Sequence, residues 1–202
     1  DKVGSYPVSA KSKIINLLKL NFNKIKQSII LEKIAKKLNL SQIAQGFFKS
    51  DVKLHMVDSY YSPKSEKNVI DWHSDMTFDL KKKYDKNSAS LKFFFYLSDV
   101  QSNNGCLAYI PYSNFVTKAV AELILKKKIE PTPYWHLIEL RKMIKSNNNI
   151  KLISDIVGEK IINDFLVNSE FIETNKKDTH EFDLEMNKGS VVIFDEFGIH
   201  RG

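Results

Sequence analysis

Cysteine is nearly absent from this sequence, since Cys106 is the one cysteine among 202 residues. A disulfide framework and a cysteine-based zinc site both need several thiols, so the sequence excludes them. The scarcity of thiols also suits a reducing compartment, and we predict a cytoplasmic protein. Cys106 itself follows an Asn-Gly pair and is interpreted as a small buried hydrophobe.

Long apolar runs are absent as well, which argues against a membrane partner. No run approaches the roughly 20 apolar residues that cross a bilayer. The first residues, DKVGSYPVSAKSK, contain no apolar signal core and no initial Met. We therefore interpret them as a trimmed start and not as a targeting signal.

The chain is basic, with a formal net charge of +7. Its lysines are spread along the sequence, and the lysine runs at 81–83 and 126–128 are short. Basic and aromatic residues do not interleave as they do on single-strand binding platforms. The sequence therefore favours a solvated basic surface over a nucleic-acid site, although an anionic substrate would suit the charge.

Hydrophobic patterning divides one domain of ordinary globular composition into helical and strand segments. Residues 1–50 and 117–165 show apolar stripes of helical period, whereas 51–116 and 166–202 contain the strand patterns. The pair Asn104–Gly105 is typical of a tight hairpin turn. We predict a mainly β domain with α: an antiparallel sandwich or barrel, an N-terminal helical layer, and a helical insertion that forms a lid or part of a substrate pocket.

The segment WHSD at 72–75 contains the most informative chemistry. Residues i and i+2 of an extended backbone point to the same face, so His73 and Asp75 can reach one point. They would supply two of the three ligands of a 2-His-1-carboxylate iron site, which leaves positions open for a keto acid and dioxygen. His200, just after a strand and a turn, is the candidate third ligand. An H-x-D pair alone is a weak signal, because it is common by chance.

Three blocks in order resemble the phytanoyl-CoA dioxygenase family of Fe(II)/2-oxoglutarate oxygenases. WHSD is similar to its W-H-x-D motif. The second block, at 97–114, reads LSDVQSNNGCLAYIPYSN and is similar to the family's run of L-x-D, N-G-C/P-L and I-P-G-S-H. The third block, at 189–202, reads GSVVIFDEFGIHRG and is similar to the family's G-D-x-x-x-F block with a distal His. The resemblance implies a double-stranded β-helix, or jelly roll.

The same resemblance implies the cofactors and the chemistry. Fe(II) would be held by His73, Asp75 and His200, with 2-oxoglutarate and dioxygen as cosubstrates and a small organic molecule as the substrate. Related halogenases have a small residue at the position of Asp75, so its presence favours hydroxylation.

The sequence departs from the family pattern at two places. Tyr112 and Asn114 stand where the family has Gly and His, in a segment that we interpret as structural. The family's 2-oxoglutarate-binding Arg lies about one strand beyond the distal His, so we expect it beyond Gly202, in a C-terminal strand missing from this sequence. Arg201 directly follows His200, and adjacent strand residues face opposite ways. Lys92 is a further candidate to bind a cosubstrate carboxylate, with a solvent-facing edge position as the alternative.

Other side chains compete as ligands or as pocket residues: His55, His136, His180, Tyr60, Tyr61 and Tyr109. None of the three histidines has a carboxylate two residues away within a matching block. For the tyrosines, core packing is the favoured interpretation. Trp72 is expected to pack beside the metal-binding strand without taking part in chemistry.

Two other function classes are compatible with the sequence. A cupin-like protein would bind a metal or ligand without oxygenase turnover, and would form no succinate from 2-oxoglutarate. A basic polyanion-binding protein would show steeply salt-dependent binding that survives the loss of His73.

Overall fold

A computed structural model of the chain describes residues 29–30, 32–53, 71–75, 90–102, 104–131, 135–146, 148–175 and 179–202. The chain divides into two compact units, Asp1–Tyr61 and Ser62–Gly202. The predicted helical stripe at 10–20 lies outside the described residues, as does most of the predicted strand that contains His55, Tyr60 and Tyr61. Within the described ranges, no helix has the length and apolar character needed to cross a membrane.

The first unit is helical over most of its described residues, as the sequence predicted for residues 1–50. Residues 32–37 are helical, and helix α1 follows over Leu40–Phe48. The Lys49 N–H donates to the Gln45 carbonyl at 2.7 Å and closes the last turn. The helix continues through Gly46, because a glycine inside a helix costs only about 1 kcal/mol.

The second unit combines helices with short strands. The helices are α2 (Ser113–Leu125), α3 (Leu137–Lys145), α4 (Asn149–Val157) and α5 (Glu159–Thr174). The strands are β1 (Leu91–Phe95), β2 (Leu107–Tyr109), β3 (Asp183–Leu184), β4 (Val191–Asp195) and β5 (His200–Arg201). The described part is therefore more helical than the mainly β domain that the sequence predicted.

The helical insertion is longer than its apolar pattern indicated. It begins at Ser113 and ends at Thr174, whereas the sequence predicted helix over 117–165. Tyr112 has a left-handed backbone, with φ 62°, so the chain passes from strand into helix with almost no loop to mark the boundary. At the other end, buried Ile172 extends the apolar face of α5 beyond the predicted limit.

The strands form two antiparallel sheets, in agreement with the predicted antiparallel pairing. β1 pairs with β4, with Lys92 opposite Phe194, and β2 lies between β3 and β5. The turn predicted at Asn104–Gly105, between β1 and β2, is confirmed, since Gly105 has the positive φ of 76° that a tight turn requires. The sheets thus bring the end of the chain beside its middle.

The inward faces of the two sheets share an apolar core. In β4, Val192 and Phe194 are buried while Val191 and Ile193 are exposed, as alternation along a strand requires. The buried pair packs in one cluster with Cys106, which is confirmed as a small buried hydrophobe. Burial raises the pKa of the Cys106 thiol to about 11, so it is not a reactive thiolate at neutral pH.

A larger core joins the helical insertion to the three-stranded sheet. Its buried members include side chains of α2, of the sheet and of the segment before β5: Val116, Val120, Ala108, Ile110, Phe197 and Ile199. Helix α2 is therefore packed directly against the residues that lead into β5.

Gly198 lies in the turn before β5, where the Tyr109 ring leaves no room for a side chain. A Cβ at this position would overlap the phenol end of Tyr109, which is itself packed against Phe194 with ring centroids 5.9 Å apart. This close approach explains the glycine without any appeal to backbone strain.

We predict that Gly198→Ala lowers the free energy of unfolding by about 2 kcal/mol, because the added methyl group overpacks a filled site. Chemical denaturation followed by circular dichroism measures the change. Gly202→Ala is the matched control, since a Cβ there has no heavy atom within 4 Å. Equal stabilities of the two variants would contradict the prediction.

Asp183 links β3 to β5 through a buried carboxylate. Its side chain is 2% exposed, accepts from Arg201 Nη2 at 2.8 Å, and lies 3.0 Å from His180 Nδ1. The Arg201 guanidinium also lies over the Trp72 ring, 5.2 Å from its centroid. Burial raises the pKa of Asp183, but the hydrogen bonds with His180 and Arg201 outweigh burial, so that its pKa is lowered.

Because the pKa of Asp183 is lower in the folded state, its contribution to stability is present above the unfolded value of about 4 and is lost as the pH falls below it. We predict that Asp183→Asn lowers the free energy of unfolding at pH 7 by about 2 kcal/mol, the usual range for hydrogen bonds to charged groups. The difference from wild type should shrink below about pH 4. Urea unfolding at both pH values tests this, with the exposed Asp155→Asn as control; a pH-independent difference would contradict it.

Candidate metal centre

His73 and His200 face each other across two neighbouring backbone segments. The His73 N–H donates to the His200 carbonyl at 2.9 Å, and the His200 N–H donates to the His73 carbonyl at the same distance. Residues that exchange both hydrogen bonds in an antiparallel pair project their side chains to the same face. The backbone pairing alone therefore places both imidazoles together.

Asp75 completes a group of three potential ligands. Its Oδ1 lies 3.5 Å from His73 Nε2, and its Oδ2 lies 3.1 Å from His200 Nε2. One potential ligand atom from each residue lies within 4.8 Å of those of the other two, and the described residues contain no other such group of His, Cys, Asp or Glu. The structure thus brings together the three residues that the sequence selected.

Each imidazole is oriented by the carbonyl two residues before it. His73 Nδ1 lies 2.7 Å from the Asp71 carbonyl, and His200 Nδ1 lies 2.9 Å from the Gly198 carbonyl. A carbonyl can only accept, so Nδ1 donates in both rings. Nε2, which faces Asp75, donates to the carboxylate while the ring is protonated and has a free lone pair for a metal once the ring is neutral. Metal-bound histidines are oriented in this way by an acceptor on the other ring nitrogen. The sequence patterns did not reveal this arrangement.

The electrostatics keep Asp75 ionised. Burial raises the pKa of Asp75, but hydrogen bonds from His200, His73 and Lys92 outweigh burial and hold the pKa well below its usual range. Burial lowers the pKa of His73, yet the hydrogen bonds with Asp75 and with the Asp71 carbonyl outweigh it, so that the pKa is raised. An ionised carboxylate is the form that binds a metal.

Lys92 belongs to the same group of side chains. It lies on the face of β1 that carries Phe94, opposite Phe194 of β4, and its ammonium contacts Asp75 Oδ2. The Lys92 side chain contacts Asp75 while remaining 36% exposed. A cation therefore lies beside the three potential ligands.

Aromatic rings line the buried side of the site. The Phe194 ring lies 5.0 Å from the His200 ring, and Tyr109 is the cross-strand partner of His200. Burial raises the pKa of the Tyr109 hydroxyl, so the phenol is neutral. Exposure increases from His200 (7%) through His73 (15%) to Asp75 (26%), which makes the Asp75 side the open one.

His136 lies next to His73 on the side away from His200. The hydrogen bonds from Ser74 N–H to the Trp135 carbonyl and from Leu137 N–H to the Trp72 carbonyl flank the His73–His136 pair. His136 therefore shares the face of His73, and their ring centroids are 6.4 Å apart. His136 is exposed and lies outside the group of three. Only the tertiary pairing identifies it as a neighbour of the site.

The remaining candidates from the sequence lie elsewhere. His180 pairs with Asp183 and is not part of the group of three. Trp72 is buried with its ring edge-to-face on Phe182, which confirms a packing role. Arg201 points toward Asp183, as expected from its position next to His200.

The comparison with known protein families agrees with this geometry. The sequence profile described as phytanoyl-CoA dioxygenase matches residues 18–202, which is most of the chain. No curated protein and no solved structure shows a significant match. From the extent of the family match and the His-Asp-His group within it, we conclude that this chain belongs to the phytanoyl-CoA dioxygenase family.

Proposed function

We propose that this protein is an Fe(II)- and 2-oxoglutarate-dependent dioxygenase that hydroxylates a small organic substrate, with His73, Asp75 and His200 as the iron ligands. The observation that supports this most is the convergence of two imidazoles and one ionised carboxylate in a member of this family. Two nitrogens and one oxygen are the donor set of non-haem iron oxygenases. We further propose that the two antiparallel sheets belong to a jelly roll.

The donor atoms fit a divalent metal in their orientation as well as in their type. Both Nε2 atoms already point toward the Asp75 carboxylate, because both Nδ1 atoms are bound to backbone carbonyls. Bound iron(II), together with 2-oxoglutarate and dioxygen, would supply the oxidising chemistry. The residues of this chain bind and orient the reactants and limit the access of water.

Lys92 is proposed to bind a carboxylate of 2-oxoglutarate beside the metal. An ammonium has three donors, so Lys92 can keep its contact with Asp75 and still bind an anionic ligand. Its partial exposure leaves it accessible from the open side of the site.

The substrate is proposed to enter beside Asp75 and to contact the helical insertion. His136 precedes α3 in that insertion and lies on the face of the sheet that carries His73 and His200. Its imidazole would give the pocket a polar group opposite the aromatic wall of Phe194 and Tyr109.

We predict that His73→Ala, Asp75→Ala and His200→Ala each weaken binding of Fe(II) by more than about 100-fold, since even changes in residues that support ligands cost 10- to 100-fold. Anaerobic isothermal titration calorimetry measures the affinity. His180→Ala is the control, because that imidazole pairs with Asp183 away from the site. If His180→Ala lost the metal and the other three variants kept it, the ligand assignment would be wrong.

We predict that anaerobic addition of 2-oxoglutarate to the iron-loaded protein produces a weak visible absorption band. We also predict that Lys92→Met raises, by about tenfold, the concentration of 2-oxoglutarate that gives half of the maximal absorbance of this band. Losing one charge-assisted hydrogen bond, worth about 1.5 kcal/mol, accounts for that factor. Lys126→Met is the matched control, since its ammonium contacts Glu122 on α2.

Succinate formation separates the oxygenase from the cupin-like alternative. The oxygenase converts 2-oxoglutarate to succinate in air, and His73→Ala abolishes this conversion. Metal retention with neither a visible band nor succinate would favour a binding protein instead. Binding of polyanions that is unaffected by His73→Ala would favour a basic polyanion-binding protein.

A further inference from the structure

We infer that Ser113 and Thr117 are positioning residues for the third ligand, His200, and that through them the helical insertion is part of the metal centre. Both are buried hydroxyl residues on the first helix of the insertion, α2, with 0% exposure. Neither has an ionisable group, and neither belongs to the proposed ligand set. The inference rests on the proposed metal-binding function.

Both hydroxyls bind the turn that leads into His200. Thr117 Oγ1 donates to the Phe197 carbonyl at 2.6 Å, which is shorter than its distances of 3.2 and 3.1 Å to the Ser113 and Asn114 carbonyls of its own helix. Ser113 Oγ accepts from the Ile199 N–H at 2.7 Å. The two residues are one helical turn apart, so they share one face of α2.

The segment that contains the other two ligands meets the same turn. Ser74, between His73 and Asp75, directs its hydroxyl to the Phe197 carbonyl at 3.1 Å and to the Glu196 carbonyl at 3.2 Å. The Phe197 carbonyl therefore accepts from Ser74 on one side and from Thr117 on the other. Helix α2, the first ligand segment and the turn before the third ligand are joined at one oxygen.

The conformation of this turn decides how His200 is oriented. The Gly198 carbonyl accepts from His200 Nδ1, and Ile199, whose N–H is held by Ser113, directly precedes the ligand. A shift of the turn would rotate the imidazole and move Nε2 away from Asp75. Hydrogen bonds from outside the turn resist this shift, in the way that groups behind metal ligands set their geometry.

The choice of residue types supports a specific role. A fully buried helix face is normally apolar, because an unpaired buried hydroxyl costs free energy. Serine and threonine inside a helix commonly bond back to their own helix. Ser169 of α5 does so, with its hydroxyl 2.8 Å from the Leu166 carbonyl. Thr117 instead makes its shortest bond to the turn. Ser113 donates to the Ile110 carbonyl at 2.7 Å, as Ser169 does to Leu166, and in addition accepts from the turn.

The test compares Thr117→Val, which keeps the shape and removes the hydroxyl, with Thr117→Ser, which keeps the hydroxyl. Anaerobic titration with Co(II) gives the dissociation constant, and the visible absorption bands of the bound Co(II) report the ligand geometry. We expect Thr117→Val to raise the dissociation constant about tenfold and to change the bands. Thr117→Ser should restore both. Ser113→Ala should act like Thr117→Val and serves as the second variant if Thr117→Val does not fold.

Ser169→Ala is the control for a merely structural effect, because it removes an equally buried hydroxyl, also with 0% exposure, from another helix of the insertion. We expect it to lower stability while leaving the Co(II) constant and spectrum unchanged. If Thr117→Val and Ser113→Ala leave both readouts at wild-type values, or if Ser169→Ala changes them equally, the positioning role is refuted while the metal site stands. If the wild-type protein binds no Co(II), the proposed function and this inference both fail.

Discussion

The backbone pair between His73 and His200 is the interaction on which the rest of the site depends. Two hydrogen bonds of 2.9 Å join the segment that contains His73 to β5, which contains His200. The His73 segment precedes all the named strands of the second unit, and β5 follows all the others. The pairing sets both imidazoles on one face and brings Asp75 beside the turn before β5, where its N–H lies 3.3 Å from the Glu196 carbonyl. A slip of one residue in this register would leave the two imidazoles on opposite faces.

The second constraint is the burial of charge and hydrogen-bonding groups around that pair. A partly buried carboxylate costs free energy unless donors surround it, and Asp75 has two imidazoles and the Lys92 ammonium within contact. The two imidazoles are held in turn by backbone carbonyls. These contacts orient the donor atoms within the polypeptide itself, so that binding a metal requires little rearrangement of the ligands.

The helical insertion contacts the candidate metal centre at two places. At its start, Ser113 and Thr117 bind the turn before His200. Farther along, the backbone around His136 pairs with the segment that contains His73. The insertion is therefore hydrogen-bonded to both segments that contain the candidate ligands.

Local pattern together with the family resemblance indicated the candidate ligands, and local pattern alone indicated many of the helices and strands. The spacing of His73 and Asp75 has a direct geometric consequence on an extended backbone. The aromatic and β-branched residues of 91–95 and 191–195 indicate strands without any knowledge of their partners. Local pattern could not reveal three features of the site. These are the contact of the Lys92 ammonium with Asp75, the position of His136 next to His73, and the hydrogen bonds from buried hydroxyl residues on α2 to the turn before His200. Each of those depends on register and packing between segments distant in sequence, where one residue of shift reverses the face of every side chain. The sequence by itself therefore determined which residues are suited to hold a metal, and the tertiary structure alone decided what surrounds and orients them.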